Sequence, residues 1–176
     1  MRIVYAKAKE LFEERISQGI FVEDKQSAYY IYQLEMNGRT QTGIAACASV
    51  DDYLDGTIKK HENTREEKEQ DRIRHVDTLS AQTGPIFLAY RSQATINQLV
   101  SKIMETQEPL YDFTASDGIA HRMWKVTEEA VTTLQEAFAG IQEIYIADGH
   151  HRAASAVKVG LKRRKEHPDY DGTEEF

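Results

Sequence analysis

Residues 143–165 read EIYIADGHHRAASAVKVGLKRRK. The apolar stretch at 143–147 is typical of a buried strand. Asp148-Gly149 then indicates a turn, and the residues from His151 to Lys165 predict the final helix. A strand that passes through a glycine turn directly into a helix is typical of proteins in which helices pack on a sheet.

Helical and strand patterns alternate through the rest of the chain. We predict helices over 5–18, 64–82, 94–105 and from Thr127, and strands over 28–35, 40–50, 86–90, 110–114 and 120–126. Asn37-Gly38 is a strong hairpin signal between the first two strands. The apolar density of 40–50 favours a central position in the sheet, and Thr64 with Glu67 has the form of a capping box. The pattern predicts an α+β fold, a mixed sheet with flanking helices.

Composition limits the class of protein. The chain has 176 residues, 40% of them hydrophobic, and we predict a single domain over 1–176 with a frayed polar tail at 168–176. The net charge of -7 argues against unspecific nucleic-acid binding. No apolar run approaches about 18 residues, so we expect no membrane span. With no secretory signal, we expect a cytoplasmic protein. We also expect its single cysteine, Cys47, to be a buried free thiol.

The turn at Asp148 concentrates groups that bind anions. The first N–H groups of a helix have no partner within it, and the helix dipole adds partial positive charge there, so a helix start binds phosphate readily. Gly149 allows close approach, and His150, His151 and Arg152 add side-chain donors. We predict that these five residues bind phosphate. Two alternatives are an ordinary turn in which Asp148 caps the helix, and a metal site that includes Asp148. The metal site is disfavoured because adjacent histidines do not share a helix face.

Basic residues recur along the helix that is predicted to begin near Thr64. Arg65, Lys68 and Arg72 fall on one helical face. Lys68 and Arg72 are like charges one turn apart, which solvent, acidic neighbours or a bound anion must offset. The stripe is therefore either a solvated helix face or a second part of the anion site.

Glu62 follows His61 just before this helix. An isolated glutamate is usually a surface residue, but one beside a histidine near a helix start has the chemistry of a general base or a Mg2+ ligand. We take Glu62 and His61 as candidate catalytic residues. We expect them to share one cleft with the phosphate-binding turn.

Several motifs together resemble a known family. They are GTIKKHENTREEKEQDRIRH at 56–75, GPIFLAY at 84–90, HRMW at 121–124 and YIADGHHRAASA at 145–156. Together they resemble the bacterial and archaeal family called domain of unknown function 1015. Its members are longer, so the resemblance implies an internal fragment of a longer protein. We therefore expect exposed apolar surface where other segments pack, and a homodimer through that surface.

The ADGHHR turn is also similar to the phosphate-binding turn of the ParB/sulfiredoxin-like superfamily, which includes an archaeal free-serine kinase. This resemblance implies a ParB/sulfiredoxin-like core, with Glu62 matching a glutamate of that kinase. It implies a phosphotransferase that uses Mg2+ with ATP or ADP on a small hydroxyl metabolite such as serine. The alternatives are a non-catalytic, nucleotide-responsive binding module, as in ParB, and a fragment with an incomplete site. A P-loop enzyme is excluded because the chain has no GxxxxGK[ST] loop.

Overall fold

The computed structural model describes the backbone of residues 2–171 and the side chains of residues 3–171. The helices are α1 (Arg2–Ser17), α2 (Val50–Leu54), α3 (Glu66–Leu79), α4 (Ala94–Thr106), α5 (Glu128–Ala139) and α6 (His150–Glu166). The strands are β1 (Tyr30–Met36), β2 (Arg39–Ala45), β3 (Ile58–Lys59), β4 (Phe87–Tyr90), β5 (Tyr111–Thr114), β6 (Ala120–Lys125) and β7 (Ile144–Asp148). Helices and mixed sheets confirm the α+β class.

The chain divides into two compact units where the sequence predicted one domain. The first unit consists of the described parts of Met1–Glu23, Ser49–Tyr90 and Glu143–Phe176. The second consists of Asp24–Ala48 and Arg91–Gln142. The segments of the two units alternate along the chain. Local periodicity reports which segments are helices and strands but not which of them pack together, so it does not show this division.

The first unit is built on a sheet with the order β3-β7-β4. The central strand β7 runs parallel to β3 and antiparallel to β4. Ile58, Ile146 and Ala153 form its buried core. Because β7 is held on both sides and α6 packs through Ala153, the turn that joins them has a fixed position. The sequence did not predict β3, since a strand of two residues shows no periodicity.

The second unit contains an antiparallel sheet with the order β2-β1-β6-β5. Its core includes Ile31 and Trp124 from the sheet and Ile103 from α4. The β1–β2 turn confirms the predicted hairpin, since Asn37 and Gly38 have φ of 52° and 74°, as a type I′ turn requires.

The predicted central position of 40–50 is wrong. β2 is an edge strand with mostly exposed side chains. Its sequence from Arg39 to Ala45 is largely polar, and the small apolar residues that raised the apolar density of the segment follow the end of the strand. Cys47 lies among them and is exposed, so the buried thiol is also a wrong prediction.

The start and end of α3 differ from the prediction. Arg65 is its N-cap residue, with no side-chain cap hydrogen bond. The Thr64 hydroxyl donates instead to the Glu69 carboxylate, so the predicted capping box is wrong. The helix ends at Leu79 because Ser80 adopts a left-handed conformation with φ of 50°.

Large apolar side chains are exposed on α1 and just after it. Ile3 and Val22 are each 82% exposed. These side chains are exposed apolar surface of the kind that the sequence predicts. A homodimer through that surface stays a prediction. Within the described residues, no helix is both long enough and apolar enough to span a membrane. At the other end, the predicted frayed tail lies outside the described residues from position 172 onward. In the described part of this tail, the ring centroid of Tyr170 lies 4.7 Å from the Arg164 guanidinium.

Candidate functional site

The start of α6 is the first part of the candidate site. Its N-cap is Gly149, which is in a left-handed conformation with φ of 95° and makes no side-chain cap hydrogen bond. The Asp148 carboxylate pairs with the Arg152 guanidinium, so the alternative in which Asp148 caps the helix is wrong. The first turn of α6 therefore presents its backbone N–H groups and the positive end of the helix dipole.

Gly149 is required by space as well as by conformation. A Cβ atom at this position would lie 2.9 Å from Ile86 Cγ2 and 3.0 Å from Arg152 Nε. A Cβ at Gly84 would lie 3.4 Å from Arg152 Nη1. The Arg152 side chain is therefore packed against Gly149, the N-cap of α6, and against Gly84, which precedes β4.

His150 connects the helix start to the His61-Glu62 segment. Its side chain is 5% exposed, and its Nδ1 lies 3.7 Å from Glu62 Oε2. Its ring makes an edge-to-face contact with His61, with 4.4 Å between ring centroids. Nε2 is buried and has no hydrogen-bond partner among the described residues. The structure thus brings together predicted residues from both motif segments.

These residues line a cavity of about 330 Å³. Its walls are formed by Tyr53, Lys60, His61, Glu62, Asn63, Thr64 and His150. Lys60 Nζ lies 4.2 Å above the Tyr53 ring centroid, and burial raises the pKa of Tyr53. The volume is at the lower end of the range for small-molecule sites. Sequence reasoning missed Tyr53, Lys60 and Asn63. The last two flank the predicted motif, whereas no sequence signal indicated Tyr53.

His151 makes a hydrogen bond to the segment that precedes α3. Its Nε2 accepts a hydrogen bond from the Arg65 backbone N–H at 3.1 Å. This bond joins the start of α6 to the N-cap of α3. His151 Nε2 therefore helps to hold the starts of the two helices together, and donation from His151 to a ligand stays a prediction.

The side chains of the predicted basic stripe do not enter the cavity. Arg65, Lys68 and Arg72 are exposed, and none is among the described residues that line it. The residues of α3 that pair with α6 are the acidic ones, Glu66, Glu69 and Asp77. This placement fits the solvated-face alternative.

Glu69 anchors the segment before α3 to α6. It is 4% exposed and accepts hydrogen bonds from Thr64 Oγ1 and Lys158 Nζ. Burial raises its pKa, but the hydrogen bonds from Lys158 and Thr64 outweigh burial and hold it below the usual value. Ser155, which is fully buried, donates to the His151 carbonyl at 2.6 Å. Because Thr64 lines the cavity, its hydrogen bond to Glu69 and the pairing of Glu69 with Lys158 hold one wall of the cavity in place.

Comparison with known proteins identifies the family. The family model described as Protein of unknown function (DUF1015) matches residues 1–176. The chain belongs to the DUF1015 family. No curated protein and no solved structure matches it.

The side chains of this DUF1015 site that can act as metal ligands determine what kind of metal ion it would bind. The described residues contain no group of three or more His, Cys, Asp or Glu side chains placed to bind an ion. Glu62 is the carboxylate that lines the cavity. Mg2+ is commonly held by one or two carboxylates together with substrate phosphates and water. Glu62 would therefore supply the carboxylate for a Mg2+ ion that binds together with nucleotide phosphates.

Proposed function

We propose that the start of α6 binds nucleotide phosphate and that this DUF1015 chain transfers a phosphoryl group to a small hydroxyl metabolite. One observation carries the proposal. The start of α6, where the N-cap Gly149 makes no side-chain cap hydrogen bond, adjoins a cavity lined by His150, and the buried Nε2 of His150 has no hydrogen-bond partner among the described residues. A helix start alone is common, but a buried, unpaired polar atom beside it indicates a ligand.

Phosphoryl transfer depends mostly on positioning and on neutralising charge. The backbone N–H groups of α6 and the Arg152 guanidinium would hold the phosphate, with Lys60 in the cavity wall adding positive charge. Mg2+ bound with ATP or ADP would neutralise further phosphate charge, with Glu62 as its protein ligand or as the group that acts on the acceptor proton. The resemblance to the ParB/sulfiredoxin-like superfamily and its free-serine kinase makes L-serine the first acceptor to test.

A second candidate is a nucleotide-responsive binding module without catalysis. The hydrogen bond from Arg65 N–H to His151 Nε2 favours it, because an anion at the start of α6 would act on the same turn that holds the N-cap of α3. Incubation with labelled ATP or ADP and L-serine separates the candidates. A phosphorylated product supports the transferase, and binding without any product supports the module.

Replacing Arg152 with alanine should weaken ATP binding by about 1.5–3 kcal/mol, the range for a charge-assisted hydrogen bond. This corresponds to roughly a 10- to 150-fold rise in Kd, measurable by titration calorimetry. Folding should change little, because the Arg152 side chain is 33% exposed and its ion-pair partner Asp148 is 73% exposed, and exposed pairs contribute little.

Arg164→Ala is the matched control. Arg164 lies on the same helix and pairs with Asp51 at 2.6 Å, but in the last turn, so ATP affinity should not change. If Arg152→Ala lowers Tm sharply while ATP affinity stays at the wild-type value, the turn is architectural and the phosphate proposal fails.

A further inference from the structure

The sheet of the second unit has an exposed edge at β5. This strand is the last in the order β2-β1-β6-β5, so within the described residues it pairs on one side only. All four of its residues are exposed, Tyr111 by 58% and Phe113 by 53%. The strand contains neither lysine nor proline, the residues that proteins commonly place on an edge to prevent further pairing. β5 is therefore open to pairing with another strand.

The outward-facing backbone groups of β5 follow from its pairing with β6. The Ala115 N–H donates to the Ile119 carbonyl at 2.8 Å where the two strands meet their turn. Hydrogen-bonded and non-hydrogen-bonded pairs alternate along an antiparallel ladder, so Phe113 is also hydrogen-bonded to β6. Asp112 and Thr114 therefore direct their N–H and C=O groups away from the sheet.

Three aromatic rings cross one face of this sheet and end at the same edge. The rings of His121 and Phe113 lie 5.0 Å apart between centroids, with 14° between their planes. The Tyr32 ring lies 6.0 Å from the His121 ring at 23°, and its hydroxyl is 2.7 Å from His121 Nδ1. We call these three residues the ring ladder. Its last member, Phe113, lies on the edge strand and is half-exposed.

We propose that β5 pairs in an antiparallel direction with β5 of a second copy of this chain, with Phe113 opposite Phe113. In this register Asp112 of each copy lies opposite Thr114 of the other. Each such pair exchanges two backbone hydrogen bonds, and the two-fold axis makes two such pairs. The four-stranded sheets of the two copies then form one continuous sheet. This inference does not rest on the proposed function.

The aromatic residues favour this register. Phe113 and its copy form a non-hydrogen-bonded pair, the kind in which opposite side chains lie closest. Their rings continue the ring ladder across the interface, and stacked aromatic pairs are more favourable than their buried area alone accounts for. A second copy also brings its own exposed edge, so one contact covers both.

The neighbouring register is less favourable for two reasons. It places Asp112 opposite Asp112 of the second copy, and like charges directly opposite each other destabilise a strand pair. It also places Thr114 opposite Leu110, whose N–H already donates to the Met123 carbonyl at 2.7 Å. The register with Phe113 at the two-fold axis has neither fault.

Sedimentation equilibrium of the whole chain tests the pairing. The wild-type chain should form a species of twice the monomer mass as its concentration rises. Thr114→Pro should raise the Kd of this dimer by about tenfold or more, because it removes one hydrogen bond donor from each copy. The Thr114 N–H faces away from β6, so proline there removes no hydrogen bond within the sheet. Thermal melts check folding.

Thr40→Pro is the matched control on the opposite edge. Met36 and Arg39 close the two-residue turn between β1 and β2, and the closing pair of such a turn is hydrogen-bonded. The Thr40 N–H therefore also faces away from the sheet. Thr40→Pro makes the same change on β2 and should leave the dimer Kd at the wild-type value.

Disulfide crosslinking tests the register, and decides the question if Thr114→Pro does not fold. The single cysteine, Cys47, is first replaced by serine. Phe113→Cys should then give a crosslinked dimer on oxidation, because Cα atoms in a non-hydrogen-bonded pair lie about 4.5 Å apart, within disulfide range. Thr114→Cys should not. A monomer at every concentration, a dimer that the two proline variants weaken equally or not at all, or crosslinking at position 114 but not at 113 would overturn the inference.

Discussion

Gly149→Ala should lower the free energy of unfolding by about 2–5 kcal/mol and abolish ATP binding. The alanine would have to adopt φ of 95°, which costs an L-residue about 1–3 kcal/mol. Its Cβ would also lie 2.9 Å from Ile86 Cγ2, so the strand end or the helix start must move. Such a shift would displace the backbone N–H groups from the phosphate. Urea denaturation and titration calorimetry measure the two effects.

Gly56→Ala is the matched control for this change. Gly56 lies in the same unit and has φ of 86°, but a Cβ there would meet nothing within 4 Å. Gly56→Ala should therefore lower the free energy of unfolding only by the cost of the positive φ angle, about 1–2 kcal/mol. It should bind ATP with the wild-type affinity. If the two substitutions lower the free energy of unfolding equally, the close contact between a Cβ at position 149 and Ile86 contributes nothing to the loss of stability.

Glu69→Gln should lower the free energy of unfolding by about 2–4 kcal/mol, because it leaves Lys158 and the Thr64 hydroxyl without their charged partner. The effect should depend on pH. Since the folded-state pKa of Glu69 is lowered from 4.5, its stabilisation is fully present above the pKa of the unfolded glutamate. It is lost as pH falls through the folded-state pKa. The wild-type chain should thus lose stability below about pH 4.5 more steeply than Glu69→Gln.

Glu66→Gln is the control for burial. Glu66 also pairs with Lys158, at 3.4 Å, but its side chain is 69% exposed, and exposed pairs contribute little. Its replacement should change stability much less than Glu69→Gln in denaturant titrations at pH 7. Similar losses in both variants would mean that the buried position of Glu69 is not what makes its pair stabilising.

Local sequence signals predicted most of the elements. Asn37-Gly38 predicted the hairpin because few residues tolerate two successive positive φ angles. The run from Glu143 to Lys165 predicted strand, turn and helix because each has its own periodicity or turn residue. The sequence could not predict the pairing of Glu69 with Lys158, because the two residues are 89 positions apart and each is an ordinary charged residue of an amphipathic helix.

The sequence located the candidate site but did not separate the roles within it. His150, His151 and Arg152 are adjacent in sequence, yet successive helix positions differ by about 100° around the axis. The structure accordingly directs His150 into the cavity, His151 to the Arg65 N–H, and Arg152 to Asp148. The packing of α3 against α6 and the pairing of Arg152 with Asp148 determine the surroundings of each side chain.

Amide chemical shifts during a titration with ATP test the phosphate site most directly. In the 15N-labelled chain, the largest saturable shifts should occur at the backbone N–H groups of Gly149, His150, His151 and Arg152. The N–H of Gly118, in the second unit, should not move. Saturable shifts centred away from the start of α6, or none with either ATP or ADP, would contradict a phosphate-binding role for this helix.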